Sequence, residues 1–279
     1  MTIAGDIHEK ARQEGVSAHL VLKERVHLLV LDYLFQRGVF TRLVFQGGTA
    51  LRICYQGVRY SEDLDFVLKT KAKTFLKDLS KTLADLPGHL KRAAIFIVEA
   101  SLKSQKETAT FKRYVLSIKA EGMAALDKTH LEVAAVPSYE NQSLLIRSEG
   151  MSLSPAVCVE TPREILSDKL CAFGTRDYIK GRDLWDIYYL THQLQVAMDE
   201  RVREMALKKI RDYGAKKDDF VSNLSQRINI LAKEGGRILK VEMDRFLPVA
   251  YRNVFQAKYP EISLEIGKTL SSFYDGIKK

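Results

Sequence analysis

The sequence lacks the features that would place it in several large protein classes. Its three cysteines, Cys54, Cys158 and Cys171, are odd in number and stand at neither metal nor redox spacing. That excludes a disulfide framework and points to thiols kept reduced. Apolar runs are short. The longest, Leu28 to Phe35, is cut by Asp32 and is far too short to span a bilayer. The opening residues Met1-Thr2-Ile3-Ala4-Gly5-Asp6 have no basic segment followed by an apolar core, so no secretory leader and a cytoplasmic location are expected. There is no internal repeat and no low-complexity run, which excludes solenoids and compositionally disordered arrays.

Enough apolar material remains for a large core. At 46% hydrophobic over 279 residues, the chain can form one large domain or two smaller ones. The net charge is +9, and most of the excess falls between Glu200 and Lys279. Such a surface attracts polyanions, nucleic acid first among them, although a merely basic soluble protein has the same composition.

The most informative stretch is Gln46-Gly47-Gly48-Thr49-Ala50-Leu51-Arg52, followed by Tyr60-Ser61-Glu62-Asp63-Leu64-Asp65-Phe66. Arg42 to Phe45 reads as a buried strand that the glycine pair breaks, letting a ligand approach the backbone where no Cβ stands. Thr49 to Tyr55 reads as a short helix whose first N–H groups suit phosphate oxygens. Alternation on the next strand puts Asp63 and Asp65 on one face, with Leu64 and Phe66 on the other. Two like charges so close need a counter-charge, and a hard divalent cation with oxygen ligands is the usual one. Alone, either half is a turn glycine pair or a pair of solvated aspartates; together they favour phosphate plus metal.

A strand, Gly-Gly, a short helix and Asp-x-Asp on the next strand resemble the DNA polymerase β-like nucleotidyltransferase superfamily. The wording of residues 46–66 resembles one branch closely: the nucleotidyltransferase toxins of type IV abortive-infection toxin–antitoxin systems, with their mycobacterial tRNA-modifying relatives. The resemblance returns at 165–190. There Lys169, Ala172 and Arg176 approximate one family motif, and Arg182-Asp183-Leu184-Trp185-Asp186 approximates another.

The rest of the chain supports an α/β (α+β) fold. Ser17 to Gln36 reads as a helix stopped by Gly38, with His19 and His27 in structural or surface roles. Lys71 to Leu86 reads as a helix closed by Pro87-Gly88. Three strands are expected at Ala93–Ala100, Tyr114–Ala120 and His130–Val136, with Lys103 to Thr110 as a loop. Glu132, between Leu131 and Val133, is either an exposed glutamate or the third acidic residue that the resemblance implies beside the metal pair.

Pro137 to Pro155 reads as a loop-rich bridge, which sets the domain boundary at 1–150 and 151–279. Val157-Cys158-Val159 reads as a short strand. Thr161-Pro162-Arg163-Glu164 opens a helix with a capping box. On it Lys169 falls within the apolar stripe, with Arg176 two turns on. A lysine there either snorkels out or meets an anion. Lys180 to Leu190 reads as a buried helix on which Asp183 and Asp186 share a face, and an ion pair of Asp186 with Lys169 or Arg176 is one reading of it. Helices are expected at Asp199–Tyr213, Asp218–Lys233, Val241–Tyr259 (interrupted at Pro248) and Ile262–Tyr274. Tyr213, Tyr251, Phe255 and Tyr259, set among lysines and arginines, either stack bases or fill the core.

The resemblance implies a polymerase β-like mixed sheet followed by a helical domain, with the active site in the cleft between them. It implies transfer of a nucleoside monophosphate from an NTP to an acceptor, with loss of pyrophosphate. Asp63 and Asp65, with Glu132, would hold Mg²⁺, or Mn²⁺ in its place. Gly47, Gly48 and Thr49 would cradle phosphates, helped by Arg52, Ser61 and Arg182. Lys169 and Arg176 would neutralise charge on the β- and γ-phosphates, and Asp186 would fix the lysine or an incoming group. RNA, above all a tRNA 3′ end, is the implied acceptor, and a cognate antitoxin the implied partner. A protein hydroxyl or small molecule as acceptor stays open, as does a non-catalytic nucleic-acid-binding protein on the same fold. Ser61 shares the face of Asp63 if the extended chain reaches back that far, so a phosphate or nucleotide attached there would occupy the triphosphate's place and silence the enzyme.

Overall fold

The computed structural model describes residues 3–70, 75–146 and 154–278. Its contacts divide the chain into two units, Met1–Cys54 with Tyr60–Val159, and Tyr55–Arg59 with Glu160–Lys279. The strands are β1 (Leu43–Gln46), β2 (Leu64–Leu68), β3 (Ile97–Glu107), β4 (Phe111–Ala120), β5 (Asp127–Pro137), β6 (Asn141–Leu145) and β7 (Ala156–Glu160). They form a seven-stranded mixed sheet in the order β3-β4-β5-β2-β1-β7-β6. β2 runs antiparallel to β1 and parallel to β5, and β7 runs parallel to β1.

Among the described residues, five α-helices accompany the sheet: α1 (Ile3–Glu14), α2 (Ala18–Gln36), α3 (Gly47–Cys54), α4 (Phe75–Leu83) and α5 (Leu86–Ala93). α2 follows the sequence pattern: Ser17 caps it, Leu20, Leu22, Val26, Val30, Tyr33 and Leu34 are buried, and Gly38 at φ +64° lies just past its end. His27 on α2 is buried against the Thr129 hydroxyl at 2.9 Å, and His19 pairs with Asp127.

Three expectations change. Residues 71–74, the start of the expected 71–86 helix, lie outside the described residues, and Pro87 opens α5 instead of closing that helix. A proline in the first turn forfeits only an N–H that has no partner within the helix. Ala93 therefore ends a helix, and β3 runs on to Glu107 through residues expected as a loop. β3 is an edge strand exposed along most of its length; pairing with β4 supplies its hydrogen bonds, and lysines suit an open edge. Within the expected 137–155 bridge stands β6, while the expected boundary near 150 lies outside the described residues.

The second unit is helical: α6 (Pro162–Thr175), α7 (Gly181–Tyr188), α8 (Glu200–Asp212), α9 (Lys217–Phe246), α10 (Val249–Phe255) and α11 (Tyr259–Lys278). The Thr161 hydroxyl accepts from the Glu164 N–H, as the capping sequence predicts. The break expected after Lys233 is absent, and α9 runs unbroken for 30 residues. Gly235 serves close packing instead of interruption: a Cβ there would stand 1.9 Å from Ser263 Oγ on α11. Among the described residues no helix is long and apolar enough to cross a membrane.

The Lys209 ammonium anchors this unit. It lies 2.8 Å from Glu160, 2.7 Å from Glu164 and 2.9 Å from Asp168, with the Lys209, Glu160 and Glu164 side chains 0% exposed. Burial, reinforced by Asp168, pushes the Glu160 carboxyl well above the usual carboxylate range.

Two stability outcomes follow. Lys209→Met strands the acidic group without its cation and should cost about 3–5 kcal/mol in urea unfolding, whereas Glu160→Gln, which removes one of three carboxylates crowded around a single ammonium, should cost far less. Gly235→Ala should destabilise despite a helix-propensity gain of about 1 kcal/mol, because overpacking against Ser263 costs about 1–3 kcal/mol; the thermal midpoint reads the sign.

Candidate active site

In the first unit, register brings the acidic residues together. Gln46, Asp65, Glu132 and Arg113 are successive partners across β1, β2, β5 and β4. Cross-strand partners share a face, so the Asp65 and Glu132 side chains are neighbours. Arg113 Nε donates to Glu132 Oε1 at 2.8 Å, giving that carboxylate a counter-charge. Gly47, at φ +79°, closes the other side: a Cβ there would stand 2.9 Å from Asp65 Oδ2. Glycine is thus required twice, by backbone conformation and by the space beside the carboxylate.

Asp63 immediately precedes β2. Its Oδ1 accepts from the His130 main-chain N–H at 3.1 Å and lies 2.8 Å from His130 Nδ1. Burial pushes this carboxyl upward, but the two His130 bonds, with the charges of His130 and Lys23, hold it below the usual range. The Asp63 carbonyl accepts from the Thr49 hydroxyl, which is buried. Thr49 therefore spends its hydroxyl on the main chain rather than offering it to a phosphate.

α3 begins at Gly47 itself, two residues earlier than expected, so the first N–H groups of the helix belong to the glycine pair. Gly48 is buried, and Ser61 is part-buried in the segment leading to Asp63. Arg52 is turned inward: Nε donates to Glu24 at 2.5 Å, and the guanidinium lies 4.2 Å from the Tyr60 ring centroid. The carboxylate oxygens of Asp65 and Glu132, beside the space left by Gly47, are donors of the kind a hard divalent cation takes.

The second unit holds a chain of alternating charges. Lys169 is buried on α6, as its place in the apolar stripe requires, and its Nζ lies 2.8 Å from Asp183 and 2.7 Å from Asp186. Asp186 in turn accepts two 2.6 Å bonds from Nε and Nη2 of Arg59. Arg176 pairs with the other oxygen of Asp183. Burial alone would raise both aspartates; Lys169 and Arg176 hold Asp183 down at about 2, and Arg59 with Lys169 holds Asp186 low. Burial would discharge Lys169, but Asp183 and Asp186 keep it charged.

Arg176 departs from its expected place. α6 stops at Thr175, and Arg176 follows with extended backbone, so it meets Lys169 through their shared partner Asp183 instead of along one helical stripe. Arg182 faces Glu242, with its N–H 2.9 Å and Nε 3.3 Å from Oε2, and its guanidinium lies over Phe246. Of the aromatics, Tyr259 is buried and Phe255 packs edge-on to Trp185, while Tyr213 and Tyr251 are exposed.

Two members of these sets escaped sequence reasoning, and each left a signal. His130 is two residues before Glu132, so alternation already puts it on the same face. Arg59 was findable only by asking what second cation a buried Arg-Asp-x-x-Asp helix needs. Among the described residues, the acidic side chains that stand close enough to share a cation are Glu160, Glu164 and Asp168, but the Lys209 ammonium fills that place.

A comparison with curated proteins finds no match. Two Helicobacter pylori crystal structures resemble this chain in fold. The first is of a candidate nucleotidyltransferase, 20% identical, with TM-score 0.51, covering 94% of this chain and 98% of its own. The second, JHP933, is also 20% identical, with TM-score 0.50 and coverage of 94% and 95%. The family described as "Nucleotidyl transferase AbiEii toxin, Type IV TA system" matches residues 29–265. With that match spanning most of the sequence, the chain belongs to the AbiEii nucleotidyltransferase toxins of type IV toxin–antitoxin systems.

Proposed function

We propose that the chain transfers a nucleoside monophosphate from an NTP to an RNA acceptor in the cytoplasm, with the tRNA 3′ end as the favoured acceptor. The observation that carries this reading is the row in which Asp65 stands beside Glu132 and against the bare Cα of Gly47. Asp63, Asp65 and Glu132 would hold Mg²⁺, which when bound supplies neutralising charge for the triphosphate and acidifies the acceptor hydroxyl.

This chain's own residues do the rest. The N–H groups at the start of α3 receive phosphate oxygens, and the missing side chain of Gly47 lets them come close. Two of the three donors on the Lys169 ammonium face Asp183 and Asp186, which leaves one for a phosphate oxygen. Arg176, its side chain 38% exposed, adds a second cation for charge building on the leaving pyrophosphate. Asp183 and Asp186 hold Lys169 charged and in place. The basic residues of α8 and α9 attract the RNA backbone, and the family context supports an antitoxin as the partner that restrains the enzyme.

Incubating the protein with total tRNA and each labelled NTP, with and without Mg²⁺, tests the reaction. Label should enter tRNA from one preferred NTP only with the metal present, and Asp65→Ala should abolish it with the fold intact. Label entering protein instead would reassign the acceptor. Lys169→Ala should lose at least about tenfold in turnover or NTP affinity, since a charge-assisted bond contributes about 1.5–3 kcal/mol. RNA binding should weaken steeply between low and moderate salt; an affinity indifferent to salt would argue against a nucleic-acid acceptor.

A further inference from the structure

His130 lies outside the roles assigned so far. It sits on β5 at the level where β2 begins, and it is the side-chain partner of Asp63. Both of its donors converge on a single oxygen, Oδ1, and the two side chains are each about one-third exposed, at 35%. An ionised carboxylate only accepts, so the bonded ring nitrogen carries the proton.

The main chain around Asp63 is pinned independently. Its carbonyl accepts from Thr49, and the Glu62 carbonyl accepts from the Thr129 hydroxyl at 2.6 Å. What those bonds leave undetermined is the carboxylate's own rotation, and among the described residues only His130 bonds it. Oδ1 is thereby occupied and Oδ2 is left as the oxygen for a cation.

We propose that His130 is a positioning residue for the nucleotidyl-transfer site: by donating from Nδ1 and N to Oδ1, it orients Asp63 so that Oδ2 is the metal-binding oxygen. The proposal rests on the reading of Asp63 as a metal ligand. Outer partners that orient ligating side chains carry about 10–100-fold of metal affinity. The side-chain donor is one of two here, so the lower end of that range applies.

The test uses Mn²⁺ alone as the probe, with free ion followed by electron paramagnetic resonance on the full chain. The set is wild type, Asp63→Ala, His130→Ala and His130→Asn. The asparagine Nδ2–H can take the place of the imidazole Nδ1–H, whereas alanine keeps only the main-chain donor. Asp63→Ala should lose most Mn²⁺ binding, His130→Ala should weaken it about tenfold, and His130→Asn should recover to within about threefold of wild type.

Recovery by asparagine separates donation from mere packing, and it keeps the test informative if His130→Ala folds poorly. Wild-type affinity in His130→Ala, with binding lost in Asp63→Ala, would overturn the role of His130 and leave Asp63 as a ligand. His130→Asn no better than His130→Ala would also overturn it. Wild-type affinity in Asp63→Ala would overturn the metal assignment itself, and the proposal with it.

Discussion

The register of β2 between β1 and β5 is the constraint on which the first unit's chemistry depends. A strand shifted by one residue sends every side chain to the opposite face. Leu64, Phe66 and Leu68 are buried on one side of β2, and their burial fixes the register that puts Asp65 beside Glu132 and opposite Gln46. Fully burying a leucine or phenylalanine contributes about 1.5–3 kcal/mol, so three of them outweigh the repulsion of two part-exposed carboxylates. The apolar face thus secures an acidic face that would not assemble unaided.

The second unit balances its buried charges by alternating their sign. Arg59, Asp186, Lys169, Asp183 and Arg176 alternate in sign, and each buried charge has at least one opposite neighbour within hydrogen-bond reach. Lys209 does the same for three carboxylates, Glu160 at the end of β7 with Glu164 and Asp168 on α6. The two sets differ in what they leave over. The Lys209 group is closed, with its ammonium enclosed by acids, whereas the Lys169 set ends in a part-exposed guanidinium and carries an excess of positive charge. An excess of that kind suits an anionic substrate, and a closed group suits structural work.

Legibility in the sequence followed the physics of each element. Where local pattern decides, it read correctly: the α2 periodicity with its Ser17 cap, the Thr161 cap of α6, β2, and the burial of Lys169 within an apolar stripe. Where long-range partners decide, it did not. β3 extends through lysine-rich residues because β4 pairs with them, α9 passes its glycines because α11 needs the space, and Pro87 begins a helix that its neighbours allow. The site divides the same way. The glycine pair and the aspartates lie within one contiguous stretch, but His130 is 67 residues from Asp63, and Arg59 is 127 from Asp186. No spacing rule links such pairs; only the folded chain does.

The second unit borrows Tyr55–Arg59 from the middle of the first, and this has a consequence for the order in which the molecule is made. Arg59 leaves the ribosome 127 residues before Asp186. At about 5–20 residues per second, that is a wait of roughly 6–25 s. During that interval the guanidinium is hydrated, and the strand that follows it, β2, can pair with β1. The charge chain of the second unit closes only after most of the polypeptide exists. A toxin built this way acquires the lysine setting of its helical half late in synthesis, after the acidic strands are already in hand, so a nascent fragment that stops short of α7 holds no complete copy of it.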